Sequence, residues 1–181
     1  MKTILGVDPG TNILGFGVIQ SDGKQFKVLD YGIIRLDKLD TYEKLKVIYT
    51  DLEKIIQKHS AEVLAIEAPF FGKNAQSMLK LGRAQGVAIA CAAMHGLPVI
   101  EYAPKKIKMA LTGKGFSTKE QVAAMVKQIL NLKKMPQTLD ATDALGVAIC
   151  HCLQGQVQVK TKKSSSNNWE DFIKNNPDKL L

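Results

Sequence analysis

The stretch from residue 3 to residue 36 restricts the fold more than any other part of the chain. Thr3-Ile4-Leu5-Gly6-Val7-Asp8 is an almost unbroken apolar run that ends on a carboxylate. Such a run fits a strand covered on both faces, not one wetted on one side. Pro9-Gly10 matches the two central positions of a type II turn, with Gly10 supplying the positive φ. Residues 13–20 form the return strand, Ser21-Asp22-Gly23-Lys24 reads as a second hairpin, and a third strand follows at 26–36. Strands joined by turns this short pair as an antiparallel meander. A buried strand that ends on Asp8 also poses a chemical question. A carboxylate there serves either a metal ion or a site beneath a nucleotide phosphate.

Beyond the meander the pattern alternates. Tyr42, Leu45, Ile48, Tyr49, Leu52, Ile55 and Ile56 recur at three and four, which predicts an amphipathic helix over 40–58. Residues 62–67 are a short apolar strand that again ends in an acid, Glu67, and the loop after it carries Phe70 and Phe71 between Pro69 and Gly72. Residues 75–94 read as a long helix and 98–100 as a strand. Residues 104–116 combine a short helical piece with a flexible Gly-Lys-Gly loop. Ser117-Thr118-Lys119-Glu120 has the capping-box form, so a helix is expected from there to about 131, and a last helix follows Pro136. The sum is an α/β fold on a mixed five-stranded sheet: a three-strand antiparallel meander plus two parallel strands, flanked by helices. A right-handed crossover through the helix at 40–58 places strand 62–67 beside strand 3–8 and parallel to it. Asp8 and Glu67 then meet on one sheet edge, roughly 4.8 Å apart, the spacing of neighbouring strands.

Asp140 and Asp143 share one face of the last helix at spacing i, i+3. If that helix packs near the strand ends, four carboxylates converge. Two unit charges 4 Å apart repel by roughly 4 kcal/mol at an effective dielectric of 20, so such a cluster destabilises the fold unless cations neutralise it. The donors are all carboxylate oxygens, which suits Mg²⁺, with Mn²⁺ as a substitute. Each acid also has a plainer reading. Asp8 suits the first position of a turn, Glu67 an exposed strand end, and Asp140 and Asp143 the N-terminal end of a helix dipole. Two strands of one sheet ending in acids on the same edge favour the joint reading.

The chain has 181 residues, 45% of them hydrophobic, which suits one domain over 1–153. From 154 to 181 the sequence turns polar and reads as a flexible linker with a short tail, in which Trp169, Phe172 and Ile173 fall at helical spacing. No apolar run approaches the roughly 20 residues of a membrane helix, and the N-terminus lacks a signal-peptide pattern, so a cytoplasmic location is expected. Cys91, Cys150 and Cys152 are too few and too poorly spaced for a disulfide framework or a zinc site; buried thiols are the better reading. The net charge of +8 favours a polyanionic partner. Lys105, Lys106, Lys108, Lys114 and Lys119 are the candidate phosphate contacts, against a plain solvated face. Gly82, Gly86 and Ala90, four apart on the helix at 75–94, permit close approach either to the protein's own sheet or to a second copy.

Four ordered motifs then make the chain recognisable: "GVDPGT", "AIEAPFFGKNAQSMLKLGRAQGVA", "EYAPKKIKMALTGKGFSTKEQV" and "DATDALGVAICHC". From residue 3 to about 153 the sequence resembles the RuvC family of Holliday-junction resolvases. That resemblance implies a ribonuclease-H-like fold and a Mg²⁺-dependent endodeoxyribonuclease that resolves four-way DNA junctions by paired, symmetric nicks in recombination and repair. It carries the family's four metal-binding acids onto Asp8, Glu67, Asp140 and Asp143, with two Mg²⁺ per site. The junction-wedging aromatic falls on Phe70, and two lysines important for catalysis or DNA contact fall on Lys108 and Lys119. It further implies a homodimer, for which Gly82, Gly86 and Ala90 are the candidate interface, and a branch-migration partner of the RuvA and RuvB type. The segment after 154 departs from the resemblance, since the family usually ends soon after its last helix.

Two rivals share the opening motif. A single-domain relative of the putative resolvases acting in ribosomal-RNA maturation shares the first acid but is not expected to carry the "FFGKNAQSMLKLGRAQG" block. An actin-like or sugar-kinase-type ATP-binding fragment needs a second domain around a cleft, which this chain has no room for. A non-enzymatic DNA-binding module is a third reading, and the four ordered acids speak against it.

Overall fold

The computed structural model describes residues 1–69, 74–136 and 138–157. Its strands are β1 (Lys2–Asp8), β2 (Ile13–Ser21), β3 (Phe26–Arg35), β4 (Val63–Glu67) and β5 (Val99–Tyr102). Its helices are α1 (Thr41–His59), α2 (Ala75–Met94), α3 (Pro104–Thr112), α4 (Lys119–Ile129) and α5 (Leu139–Val157). The sheet order is β3-β2-β1-β4-β5, with β1–β2 and β2–β3 antiparallel and β1–β4 and β4–β5 parallel. This is the mixed sheet that the meander and the crossover require.

β1 lies at the centre and its residues 3–7 are all buried, as its continuous apolar run demands. The sheet divides two cores. Leu5, Val7, Leu64 and Ile66 pack with Ile48, Leu52 and Ile56 of α1 and with Ala84, Ala88 and Cys91 of α2. Ile4, Val63 and Ala65 point the other way, toward Ile107 of α3, Val122 and Val126 of α4, and Leu145, Ala148 and Ile149 of α5. Cys150 and Cys152 are buried thiols in this second core, and the His151 ring sits 2.9 Å from the Tyr102 hydroxyl.

Three glycines decide how closely α5 approaches the sheet. A Cβ at Gly6 would drive into the backbone of Ala144 and Ala148, one at Gly15 into the carbonyl of Asp140, and one at Gly17 into the side chain of Leu145. Bare backbone on β1 and β2 therefore forms a seat into which α5 presses. Gly15 is also the register partner of Asp8, so the seat fixes the first turn of α5 beside the first acid.

Two local expectations are corrected. Gly10 does not have positive φ, so Pro9-Gly10 is not a type II turn. Glycine is needed there because a Cβ would collide with the carbonyl of Ile13 as the chain doubles back. The capping box of α4 is Thr118 with Gln121, one residue later than the sequence pattern suggested. The Ser117 hydroxyl is already committed, within hydrogen-bond range of the Thr112 hydroxyl (2.6 Å) and the Lys114 carbonyl (3.0 Å). The last helix, α5, extends to Val157. The tail beyond 157 lies outside the described residues.

Candidate active site

Parallel pairing of β1 with β4 runs from Ile4 opposite Val63 to Val7 opposite Ile66. The next residue of each strand is Asp8 and Glu67, so both carboxylates leave the sheet side by side. Asp8, Glu67 and Asp143 line one cleft of about 180 Å³, together with Lys108, Lys119 and an apolar wall of Pro104, Ile107 and Val122. Asp140 sits one turn before Asp143, outside that lining but close enough for its charge to act on both Asp8 and Asp143. Two larger concavities lie elsewhere, about 330 Å³ at the start of α1 and about 470 Å³ beside β3. Neither gathers carboxylates, so chemistry and not size marks the site.

Burial pushes the Asp8 carboxyl from 3.8 up to about 8, with the charges of Glu67, Asp143 and Asp140 adding to the effect and Lys119 opposing it. Burial likewise lifts Glu67 to about 7, reinforced by Asp143 and opposed by Lys119 and Lys108. Asp143 is raised too, by burial, against the pull of Lys119. The Lys119 ammonium lies 3.4 Å from Asp143 Oδ2, and this carboxylate holds the lysine above its ordinary value. The fold thus keeps acids where their ionised forms are costly, the condition a divalent cation relieves. The all-oxygen donor set fits a hard cation. The side chains do not yet form a closed ligand shell: among the described residues no three His, Cys, Asp or Glu converge tightly enough to hold an ion.

The lysine set divides. Lys108 and Lys119 face the cleft. Lys106 instead places its ammonium 5.3 Å from the centre of the Tyr102 ring, and Lys105 places its own 5.2 Å from that of Phe116. Lys114 is exposed on the loop between α3 and α4. Phe70 lies outside the described residues. Gly82 and Gly86 have nothing within 4 Å of where a Cβ would stand, so this stripe is open and does not pack on the protein's own sheet. Ala90 on the same stripe is exposed as well. The glycine seat beneath α5 and the wall of Pro104, Ile107 and Val122 were not anticipated as parts of the site. Gly15 and Gly17 at alternate positions of β2, with Gly6 opposite Gly17 on β1, were the signal available for the seat.

Comparison with known proteins bears on the family and the fold. The family model for "Crossover junction endodeoxyribonuclease RuvC" matches residues 4–151. A protein of that name from Cytophaga hutchinsonii is 52% identical over 181 residues, covering 99% of this chain and 88% of its own. The match therefore includes the segment after 154, which is not a departure from every relative. The structure of Thermus thermophilus RuvC superimposes with a TM-score of 0.79 at 31% identity, covering 86% of this chain and 96% of that one. T. thermophilus RuvC in complex with a Holliday junction substrate also gives 0.79, at 28% identity, with 87% and 96% covered.

Proposed function

We infer the reaction from one premise: this chain belongs to the RuvC family of crossover junction endodeoxyribonucleases. It is accordingly an endodeoxyribonuclease of ribonuclease-H-like fold, and its substrate is the four-way DNA junction. The rRNA-maturation and ATP-binding alternatives are not favoured. The observation that carries the mechanism is the single cleft shared by Asp8, Glu67, Asp143, Lys108 and Lys119.

In that cleft Asp8, Glu67 and Asp143, with Asp140 beside it, are the acids that would hold metal. Two Mg²⁺ ions, with Mn²⁺ as a substitute, would supply an activated water and stabilise the leaving 3′ oxygen of a phosphodiester. Lys119 and Lys108 offset the acid charge and attract the incoming phosphate. The seat of α5 on β1 and β2 fixes Asp140 and Asp143 relative to Asp8 before DNA arrives, so little reorganisation is left for the chemical step. Lys105, Lys106 and Lys114 extend the positive field along the outer wall, and Phe70 wedges an opened base step at the crossover.

Paired nicks need paired sites. The open stripe of Gly82, Gly86 and Ala90 is the candidate two-fold interface of a homodimer. A RuvA–RuvB type complex is the branch-migration partner, and the cytoplasm is the place of action. Among the described residues no helix is long and apolar enough to cross a membrane. Residues 1–153 form the nuclease unit and 154–181 an appended segment.

The test is cleavage of a synthetic four-way junction with and without Mg²⁺, beside Asp8→Asn. Wild-type protein is expected to nick opposite strands symmetrically only with metal, while the variant binds the junction and leaves it intact. Cutting by Asp8→Asn at the wild-type rate overturns the mechanism.

A further inference from the structure

Phe116 is 89% exposed, the most exposed of the large hydrophobic side chains among the described residues. A single exposed aromatic is ordinary in itself. What distinguishes this one is the construction beneath it. Gly113 ends α3 at φ 72°, a conformation that favours glycine, and Gly115 brings the backbone against the Lys105 stem, where a Cβ would stand 3.0 Å from it. The Thr112 hydroxyl is 2.7 Å from the Lys108 carbonyl, 2.9 Å from the Lys114 carbonyl and 2.6 Å from the Ser117 hydroxyl. Ser117 is buried, and Thr118 caps α4. The loop is thus pinned on both sides of a ring that it holds out into solvent.

The loop also joins the two walls of the acid cleft. On one side α3 contributes Pro104, Ile107 and Lys108 to the cleft; on the other, Lys119 reaches Asp143 three residues after the ring. The Lys105 ammonium stands 5.2 Å from the ring centre. A ring so exposed still has open aromatic surface, with the Lys105 cation against it and the exposed Lys114 two residues before it in the chain. An open π-surface beside cations fits a nucleobase with its phosphate. Paired duplex DNA keeps its base faces stacked, so the ligand must be an unstacked nucleotide.

We propose that Phe116 is a base-stacking residue, separate from the Phe70 loop, that receives an unstacked nucleobase of the strand entering the acid cleft. This rests on the reading of the protein as a DNA-junction nuclease. Stacking of a base on an aromatic side chain accounts for about 5- to 150-fold in affinity or rate when the ring is truncated. Phe116 therefore helps decide which junction conformations are cut.

The experiment uses the full chain. Trp169 is the sole tryptophan, so Phe116→Trp in a Trp169→Phe background places one reporter on the loop between α3 and α4. Binding of a four-way junction in metal-free buffer should quench its fluorescence, and a linear duplex of the same length should quench it far less. With Mg²⁺, Phe116→Ala and Phe116→Leu should cut about 5- to 150-fold more slowly, and Phe116→Tyr should stay within a few-fold of wild type. An unquenched tryptophan on a junction that a mobility shift shows to be bound overturns the proposal. So does wild-type cutting by Phe116→Leu, which keeps apolar area without a π-face and would point to protein docking. Quenching does not require cutting: if wild-type protein fails to cut, the nuclease reading falls, whereas cutting without quenching removes only the stacking role.

Discussion

Replacing the first acid by its neutral isostere should make the metal-free protein more stable while abolishing its activity. Asp8 titrates near 3.8 when unfolded and about 8 when folded, with burial as the main cause. Its folded form binds a proton more tightly than its unfolded form. The stabilising contribution of the protonated acid is therefore complete below 3.8 and is lost as pH rises toward 8. At pH 7 the linkage amounts to about 4 kcal/mol if nothing relaxes, and about 2 kcal/mol once water enters the cleft. Asp8→Asn removes this titration. At 2–4 °C per kcal/mol for a domain of this size, the variant should melt about 4–8 °C higher in EDTA at neutral pH. The gap should be widest at pH 8 and shrink to about a third of that at pH 5. Added Mg²⁺ should raise the wild-type melting temperature more than the variant's, because binding to the folded state alone stabilises it. Thermal melts at the two pH values, with and without metal, read all of this. A variant no more stable than wild type at pH 8, or a gap that ignores pH, refutes the reasoning.

Other positions make equally definite claims. Gly15→Ala should destabilise the protein by about 3 kcal/mol in urea denaturation, since the new Cβ meets the Asp140 carbonyl, and cutting should fall with it. Lys119→Met removes the charge that holds the Asp143 carboxyl down, so the acidic limb of the cleavage pH profile should move to higher pH; an unchanged profile denies Lys119 that role. Gly86→Leu fills the open face of α2 and should convert a dimer to monomers in sedimentation at low concentration, leaving the melting temperature of the monomer nearly unaltered.

What could be read from the sequence followed from short-range rules. The meander was legible because its turns are too short for any other pairing, and Asp8 beside Glu67 because the crossover hand left one place for β4. The capping box of α4 was placed one residue early because Ser117 is drawn away by Thr112, a contact that exists only once α3 has formed. The Gly10 turn was misread because its glycine answers a steric demand from Ile13 and not a φ demand. The seat formed by Gly6, Gly15 and Gly17 stayed hidden because the partner that needs it, α5, begins more than a hundred residues later. Pattern rules see neighbours along a chain; they do not see which helix will lie across a sheet.

That seat also governs how the nuclease fails. Asp140 and Asp143 sit on α5, whose residues 144–150 are all buried, and whose backbone lies directly on β1, the strand that ends in Asp8, and on its neighbour β2. The acids thus belong to the part of the molecule that opens only when the whole molecule opens. The loop that carries Phe116 opens locally at lower free energy, so a partly unfolded copy loses that loop while it keeps the acid cluster. Loss of discrimination without loss of cutting is therefore the failure that this order of opening permits, and the stability of the loops, not of the acids, sets how often it occurs.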